Sequence, residues 1–357
     1  MFLMNHDFLD RFDVSFTKKE SILSGKIYPL GYFANYVLEM DKSILREISR
    51  KTETFKYEFN IFLSTRDVTS AALANEALLS LWLLIAKLPV YRLVCEHDNK
   101  VNYLISYMRE HPDEVDDMMT AGTARNQMLN LWLYNLDNLV PSIKNFIQKT
   151  DFMLENYFEN LPSRKPESYV RAYGKYKRDI VNGYDIADQE DEDTTELDLH
   201  QLTFPFSLSF APKQHPKTKE VFLAEVITFG TLESFLYTDL MKAMTAGNVP
   251  RKCHNCGKYF LAVGGYDTVY CKRIAPDEKT KTCRKVGAHK KEKEKNGSSM
   301  IQKEYAKVYN RLKTRKNRGT ISIDEWNEKV SLAQELKEKV NGGEISDVKY
   351  KALMDRI

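Results

Sequence analysis

Four cysteines, Cys253, Cys256, Cys271 and Cys283, fall within 31 consecutive positions of a 357-residue chain that holds five in all. The first two form Cys-x-x-Cys; the third and fourth follow after fourteen and eleven intervening residues. Thiolates are soft ligands, and a set of four suits a tetrahedral Zn²⁺. A tight turn puts the first two sulfurs on one side of an ion, and Gly257 can take the positive φ that such a turn often needs. Lys258, Tyr259 and Phe260 read as a short strand leaving the knuckle, and Val269 and Tyr270 as a second leading into Cys271. Gly264 and Gly265 then form the hairpin turn between them. The expectation is a zinc ribbon stretched by an insertion over Ile274–Thr282. His254 and His289 stand close enough in sequence to be rival ligands. Cys95 sits alone in an apolar helical pattern and reads as a small buried side chain. Four protein thiolates leave no open position for water, so one structural Zn²⁺ is expected and no catalytic residue is assigned.

The chemistry around the cysteines is cationic. The net charge of +3 conceals a segment from Pro250 to Arg318 with 20 Lys and Arg against 6 Asp and Glu, a net of +14. Residues 1–249 carry a net of −9 and residues 319–357 a net of −2. A basic segment built on a metal site is an electrostatic footprint of nucleic-acid binding, DNA before RNA. The residues placed in that role are Arg251, Lys252, Lys258, Lys272, Arg273, Arg284, Lys285, Lys290, Lys303, Lys307, Arg311 and Arg315. The last four recur at four-residue spacing on a helix expected from Met300 to Lys316. Its other face is Ile301, Tyr305, Val308, Tyr309 and Leu312.

The elements that must position this segment are mainly α with a small β component, an α+β chain. Residues 1–184 read as a mainly helical N-terminal domain and 185–200 as an acidic linker or loop. Residues 201–249 read as strand and helix leading into the finger, 250–296 as the Cys₄ zinc ribbon, and 297–357 as a basic helix and helical tail. Within the first domain Thr54–Leu63 alternates like a strand. Ala71–Ala86 reads as a core helix too interrupted to span a bilayer. Pro141 is expected to end one helix before another over Ser142–Leu161. Tyr169–Tyr184 interleaves tyrosines with cations, which suits either stacking on nucleic acid or an amphipathic helix laid on a core. In the tail, Gly319-Thr-Ile-Ser322 and Gly343-Glu-Ile-Ser346 each read as the stop of one helix and the N-cap of the next. No basic, apolar leader opens the sequence, and the reduced cysteines point to the cytoplasm.

Cys253-x-x-Cys256-Gly-Lys-Tyr-Phe260, Tyr270-Cys271 and Cys283-Arg284-x-x-Gly287-Ala-x-Lys290 together resemble the CGNR-type zinc finger. They also resemble an uncharacterised bacterial family that bears such a finger near its C-terminus. The likeness covers 50 to 70 residues. It implies a finger that follows a helical domain and binds DNA in stress-linked transcription regulators. It further implies that the four cysteines are the ligands and that Arg284, Lys285 and Lys290 face phosphate. The family's Cys-Gly-Asn-Arg is Cys283-Arg-Lys-Val here, after a longer spacing.

Three functional readings follow. The first is a bacterial DNA-binding regulator whose helical regions sense a signal or mediate dimerisation. The second is a structural, protein-interaction module of a defence or mobile-element system. The third is a nuclease-like enzyme with an N-terminal site. No P-loop, dinucleotide fingerprint, His-Glu-x-x-His or nucleophile elbow supports an enzyme.

Overall fold

A computed structural model of the chain describes residues 11–91, 104–181, 206–263, 268–298 and 300–357. The acidic stretch 185–200, Cys95, Gly264 and Gly265 lie outside the described residues. Among the described residues the chain is mainly helical with a small antiparallel β component, as its patterning predicts. It forms two compact units. The first comprises residues 1–252 and 257–269, the second 253–256 and 270–357.

The first unit opens with β1 (Phe12–Phe16), β2 (Glu20–Leu23) and β3 (Lys26–Pro29), then α1 (Tyr32–Glu39), α2 (Ser43–Thr65) and α3 (Val68–Ile85). Next come α4 (Leu104–Glu110), α5 (Pro112–Met119), α6 (Ala124–Met153) with a π-helical turn at Leu154–Phe158, and α7 (Pro166–Val181). The unit returns to strand with β4 (Phe206–Gln214) and β5 (Val221–Phe229), then α8 (Leu232–Ala246), β6 (Pro250–Lys252) and β7 (Tyr259–Leu261). The sheet order is β3-β2-β1-β5-β4. β1 and β5 pair from Phe12↔Phe229 to Phe16↔Glu225, so the strands that open the chain are completed by one more than 200 residues later.

Thr54–Leu63 is helical, not a strand. Its alternation is real, but the longer window from Leu45 puts Leu45, Ile48, Thr52, Phe55, Phe59 and Phe62 at helical spacing, and all six are buried. Phe55 and Phe59 meet Trp132 edge-on, so α2 is fixed by its contact with α6. Pro141 does not end a helix either. It lies inside the 30-residue α6, where Leu136, Leu139 and Val140 before it and Ile143, Phe146 and Ile147 after it are all buried. Burial on both sides outweighs the one backbone hydrogen bond that proline cannot make. α3 is apolar and long enough to pass for a membrane span by composition, yet 44% of it is buried, and Asp67 caps its start through the Thr69 and Ser70 N–H groups. In α7, Tyr169, Ala172 and Tyr176 are buried, which spends the tyrosine stripe on the core.

One buried carboxylate ties α8 to α1. Asp239 is fully buried and accepts hydrogen bonds from the N–H groups of Gly31 (2.9 Å), Phe33 (3.0 Å) and Ala34 (3.1 Å). It caps α1 from a distant helix, since Gly31 at the N-cap has no side chain to do so. Gly31 has φ +84°, and a Cβ there would lie 2.7 Å from the Asn248 carbonyl oxygen, so only glycine fits.

The second unit holds α9 (Cys283–Ser298), α10 (Met300–Asn317), α11 (Ile323–Asn341) and α12 (Asp347–Arg356). Val308, Leu312, Ile321, Ala333, Val340, Tyr350 and Met354 form its apolar core. Both Gly-x-Ile-Ser echoes act as read. Gly319 and Gly343 have positive φ, and Ser322 and Ser346 accept from the N–H groups of Glu325 and Lys349.

Burial lifts the Asp239 carboxyl from an ordinary 3.8 to about 6, against the pull of its three N–H donors. The unfolded chain therefore loses this proton first. Stability is expected to fall as pH rises from about 4 through about 6 and then to level off. Asp239→Ala should abolish that slope. It should also cost on the order of 3 kcal/mol by stranding three N–H donors, as read from urea denaturation across this pH window.

Candidate metal centre and the cations around it

The sulfur atoms of Cys253, Cys256, Cys271 and Cys283 all lie within 4.8 Å of one another. The Sγ atoms of Cys256 and Cys271 are 3.8 Å apart, and none of the four is in a disulfide. A regular tetrahedron with metal–sulfur arms of ~2.3 Å has edges of ~3.8 Å, so the cluster fits one tetrahedral ion. Cys253, Cys271 and Cys283 are buried and Cys256 is half-buried.

Three pieces of local structure bring the thiols together. The knuckle Cys253–Cys256 is the connection between β6 and β7, which pair from Pro250↔Leu261 to Lys252↔Tyr259. The strand after the knuckle thus pairs with the strand before it. The expected partner, Val269–Tyr270, has no strand conformation, and β6 is the strand that pairs with β7. Cys271 follows on irregular chain, its backbone N–H donating to Cys253 Sγ at 3.3 Å. The stretch read as an insertion is a small hairpin. Ile274 bridges Thr282, and the Cys283 N–H donates to the Arg273 carbonyl at 2.8 Å. Cys283 then opens α9, where the Lys285 N–H donates to the Thr282 hydroxyl. Gly287, one turn on, lies under the Tyr270 ring, and a Cβ there would come within 2.4 Å of it.

Neighbouring donors are aimed at the sulfurs. The Asn255 amide donates to Cys283 Sγ at 3.5 Å. Burial resists ionisation of Cys253, but N–H groups of Cys271, Asn255 and Cys256 hold its thiol down at about 7. Burial pushes the Cys271 thiol up to about 12, and the neighbouring sulfurs add to that. The N–H donors thus favour the thiolate at Cys253, while burial and the other sulfurs hold the proton on Cys271. His254 is exposed, with its ring edge-on to Tyr270, and His289 is exposed on α9. Neither belongs to the cluster.

The twelve cations assigned from sequence divide by environment. Arg251 is buried, its guanidinium donating to the Tyr169 hydroxyl (2.8 Å) and the Thr268 carbonyl (3.2 Å). It braces the first unit and is not presented to a ligand. Lys252 pairs with Asp151 at 3.1 Å and with Glu155, and sits over the Tyr259 ring. Lys258 is exposed in the same unit. In the second unit Lys272, Arg273, Arg284, Lys285 and Lys290 are exposed. Lys290 reaches the Asn255 side-chain oxygen at 3.2 Å, tying α9 to the knuckle. On α10, Lys303 and Arg315 are exposed, whereas α12 engages the two between them. Lys307 pairs with Asp355 at 3.7 Å, and Arg311 is half-buried and donates to the Met354 carbonyl at 3.3 Å. The four-residue spacing shows the stripe but not the helix that packs on its middle.

Three outcomes are expected at this centre. Cys271→Ser should lower bound metal from one ion per chain to none, read by elemental analysis. Metal affinity should climb with pH, with protons released on binding, because Cys271 must give up a tightly held one. Gly287→Ala should weaken metal retention against a chelator by displacing the Tyr270 ring.

A family model described as a family of unknown function (DUF6076) matches residues 201–354, less than half of the chain. No curated protein and no solved structure matches.

Proposed function

We propose that the chain is a zinc-dependent nucleic-acid-binding protein, a cytoplasmic bacterial DNA-binding regulator, in which the metal is structural and the binding is cationic. One observation carries the reading. The centre with four converging thiols is surrounded in sequence by exposed cations: Lys272, Arg273, Arg284, Lys285 and Lys290. Four soft ligands in tetrahedral array favour Zn²⁺ over harder divalent ions. A centre closed by four thiolates has no position for substrate water, which argues for scaffold over catalyst. The resemblance to CGNR-type fingers supports the same assignment and places Arg284, Lys285 and Lys290 on phosphate.

The reading is narrower than the sequence alone suggests. Arg251 and Lys252 drop out because Tyr169, Asp151 and Glu155 already satisfy them. Lys307 and Arg311 serve α12 first. Lys258, Lys272, Arg273, Arg284, Lys285, Lys290, Lys303 and Arg315 remain. Phosphate contacts of this kind position a duplex without reading its sequence.

Fluorescence anisotropy with zinc-loaded protein and duplex DNA, titrated with salt, tests it. If six to ten phosphates are neutralised, log K should fall against log salt with a slope of roughly −5 to −9. The triple change Arg284→Glu, Lys285→Glu, Lys290→Glu should weaken binding by at least tenfold and flatten the slope, while Lys252→Ala leaves both unchanged. Absent or salt-independent binding to DNA and RNA would overturn the assignment.

A further inference from the structure

The core-facing side of the five-stranded sheet continues past the core. Opposite residues of an antiparallel pair share a face. The register thus puts Phe206, Leu208 and Phe210 of β4 on one face with Phe229, Ile227 and Glu225 of β5, and these with Phe12, Val14 and Phe16 of β1. Over β1 and the adjoining part of β5 this face is covered: Phe235 of α8 meets both Phe12 and Phe229 edge-on. The Lys242–Glu225 ion pair, 2.7 Å, marks where that cover stops. On β4, beside this covered part of β5, Phe206 is 49% exposed, Leu208 50% and Phe210 63%. β5 runs on past the end of β1, and there Leu223 and Val221, on the same face, are 69% and 75% exposed.

β4 is also the outermost strand, so its second edge has no strand partner among the described residues. Sheet edges are ordinarily blunted by charge or proline. From Phe206 to Ala211 this edge has neither; Pro212 and Lys213 stand only at its far end.

We propose that this edge and face bind a second copy of the chain. The two β4 strands pair antiparallel about a two-fold axis at Leu208, so that Phe206 of each copy meets Phe210 of the other and the two sheets become one. Three features select a second copy over another partner. The pattern Phe-x-Leu-x-Phe is its own complement under a two-fold, as an isologous interface requires. The strand carries no charge before Lys213, so neither an acidic nor a basic peptide would be recognised over its pairing length. Pro205 and Pro212, which have no N–H to donate, flank the symmetric register Phe206–Phe210 in sequence. Five large, half- to three-quarters-exposed side chains offer on the order of 500 Å² of apolar surface per copy. That is at the upper limit of what monomers leave exposed. Edge-to-edge pairing covers the β4 part of it; Val221 and Leu223, on β5, stay outside the seam, so the dimer is a dissociable one of less than the ~800 Å² per partner of stable interfaces.

Light scattering coupled to size-exclusion chromatography of the full chain tests this. The wild type should run at twice the chain mass of 41.5 kDa. Leu208→Asp and Phe210→Asp should run at one chain mass with unchanged circular dichroism. Leu83→Asp, exposed on α3, should stay dimeric. Hydrogen exchange on the wild type should show the amides of residues 206–211 losing protection on dilution, which reads the interface without any substitution. A monomeric wild type, a dimer indifferent to Leu208→Asp, or no dilution-dependent change at residues 206–211 would overturn the proposal. So would monomers that co-sediment with anionic vesicles through Leu208, since the face would then be a membrane contact.

Discussion

Four thiols within 4.8 Å of one another need a cation before they can all ionise, and that requirement governs the second unit. Its apolar core, Val308 to Met354, lies in the three C-terminal helices and in Ile321 of the turn between the first two. In the second unit's share of the cysteine region, residues 253–256 and 270–290, Ala275 is the one buried apolar side chain besides the sulfurs. The knuckle, the Ile274–Thr282 hairpin and the start of α9 therefore have almost no hydrophobic burial to hold them together. Metal binding of this type contributes on the order of 10 kcal/mol. A bound ion would take the place that a core takes elsewhere and fix the direction in which α9 leaves with its lysines and arginines.

The convergence of the four cysteines was legible from spacing alone, because soft ligands in a short window have few other uses. The helix stops and caps of the tail were legible for a similar reason: a left-handed glycine and a capping serine are local devices that need no partner. What was not legible depends on packing. Thr54–Leu63 satisfies both periods, and only the contact of Phe55 and Phe59 with Trp132 decides between them. Pro141 has the chemistry of a helix terminator, but burial on both sides overrides it. The partner of β7 could not be read because the edge it uses belongs to residues before the knuckle.

The cations show the same limit in electrostatic form. Net charge located the basic segment, yet charge counts cannot distinguish a guanidinium buried against Tyr169 from one in solvent. Arg251 and Arg284 are the same residue in opposite environments. A buried guanidinium needs hydrogen-bond acceptors, and those that Arg251 meets, on Tyr169 and Thr268, are far from it in sequence. Asp239 makes the complementary point. It is an ordinary acidic residue of an amphipathic helix until α1 presents three N–H groups to it.

The pairing of β1 with β5 sets an order on synthesis. Phe12 leaves the ribosome more than 200 residues before Phe229, the residue it sits beside. At ~5–20 residues per second this is a delay of roughly 10 to 40 s. During that interval Phe12, Val14 and Phe16 have no sheet neighbour on one side, and the helices from α1 to α7 must form without the strand that closes their core. The nascent chain thus passes that interval with an apolar strand open, the kind of surface that makes a partly folded chain prone to aggregate.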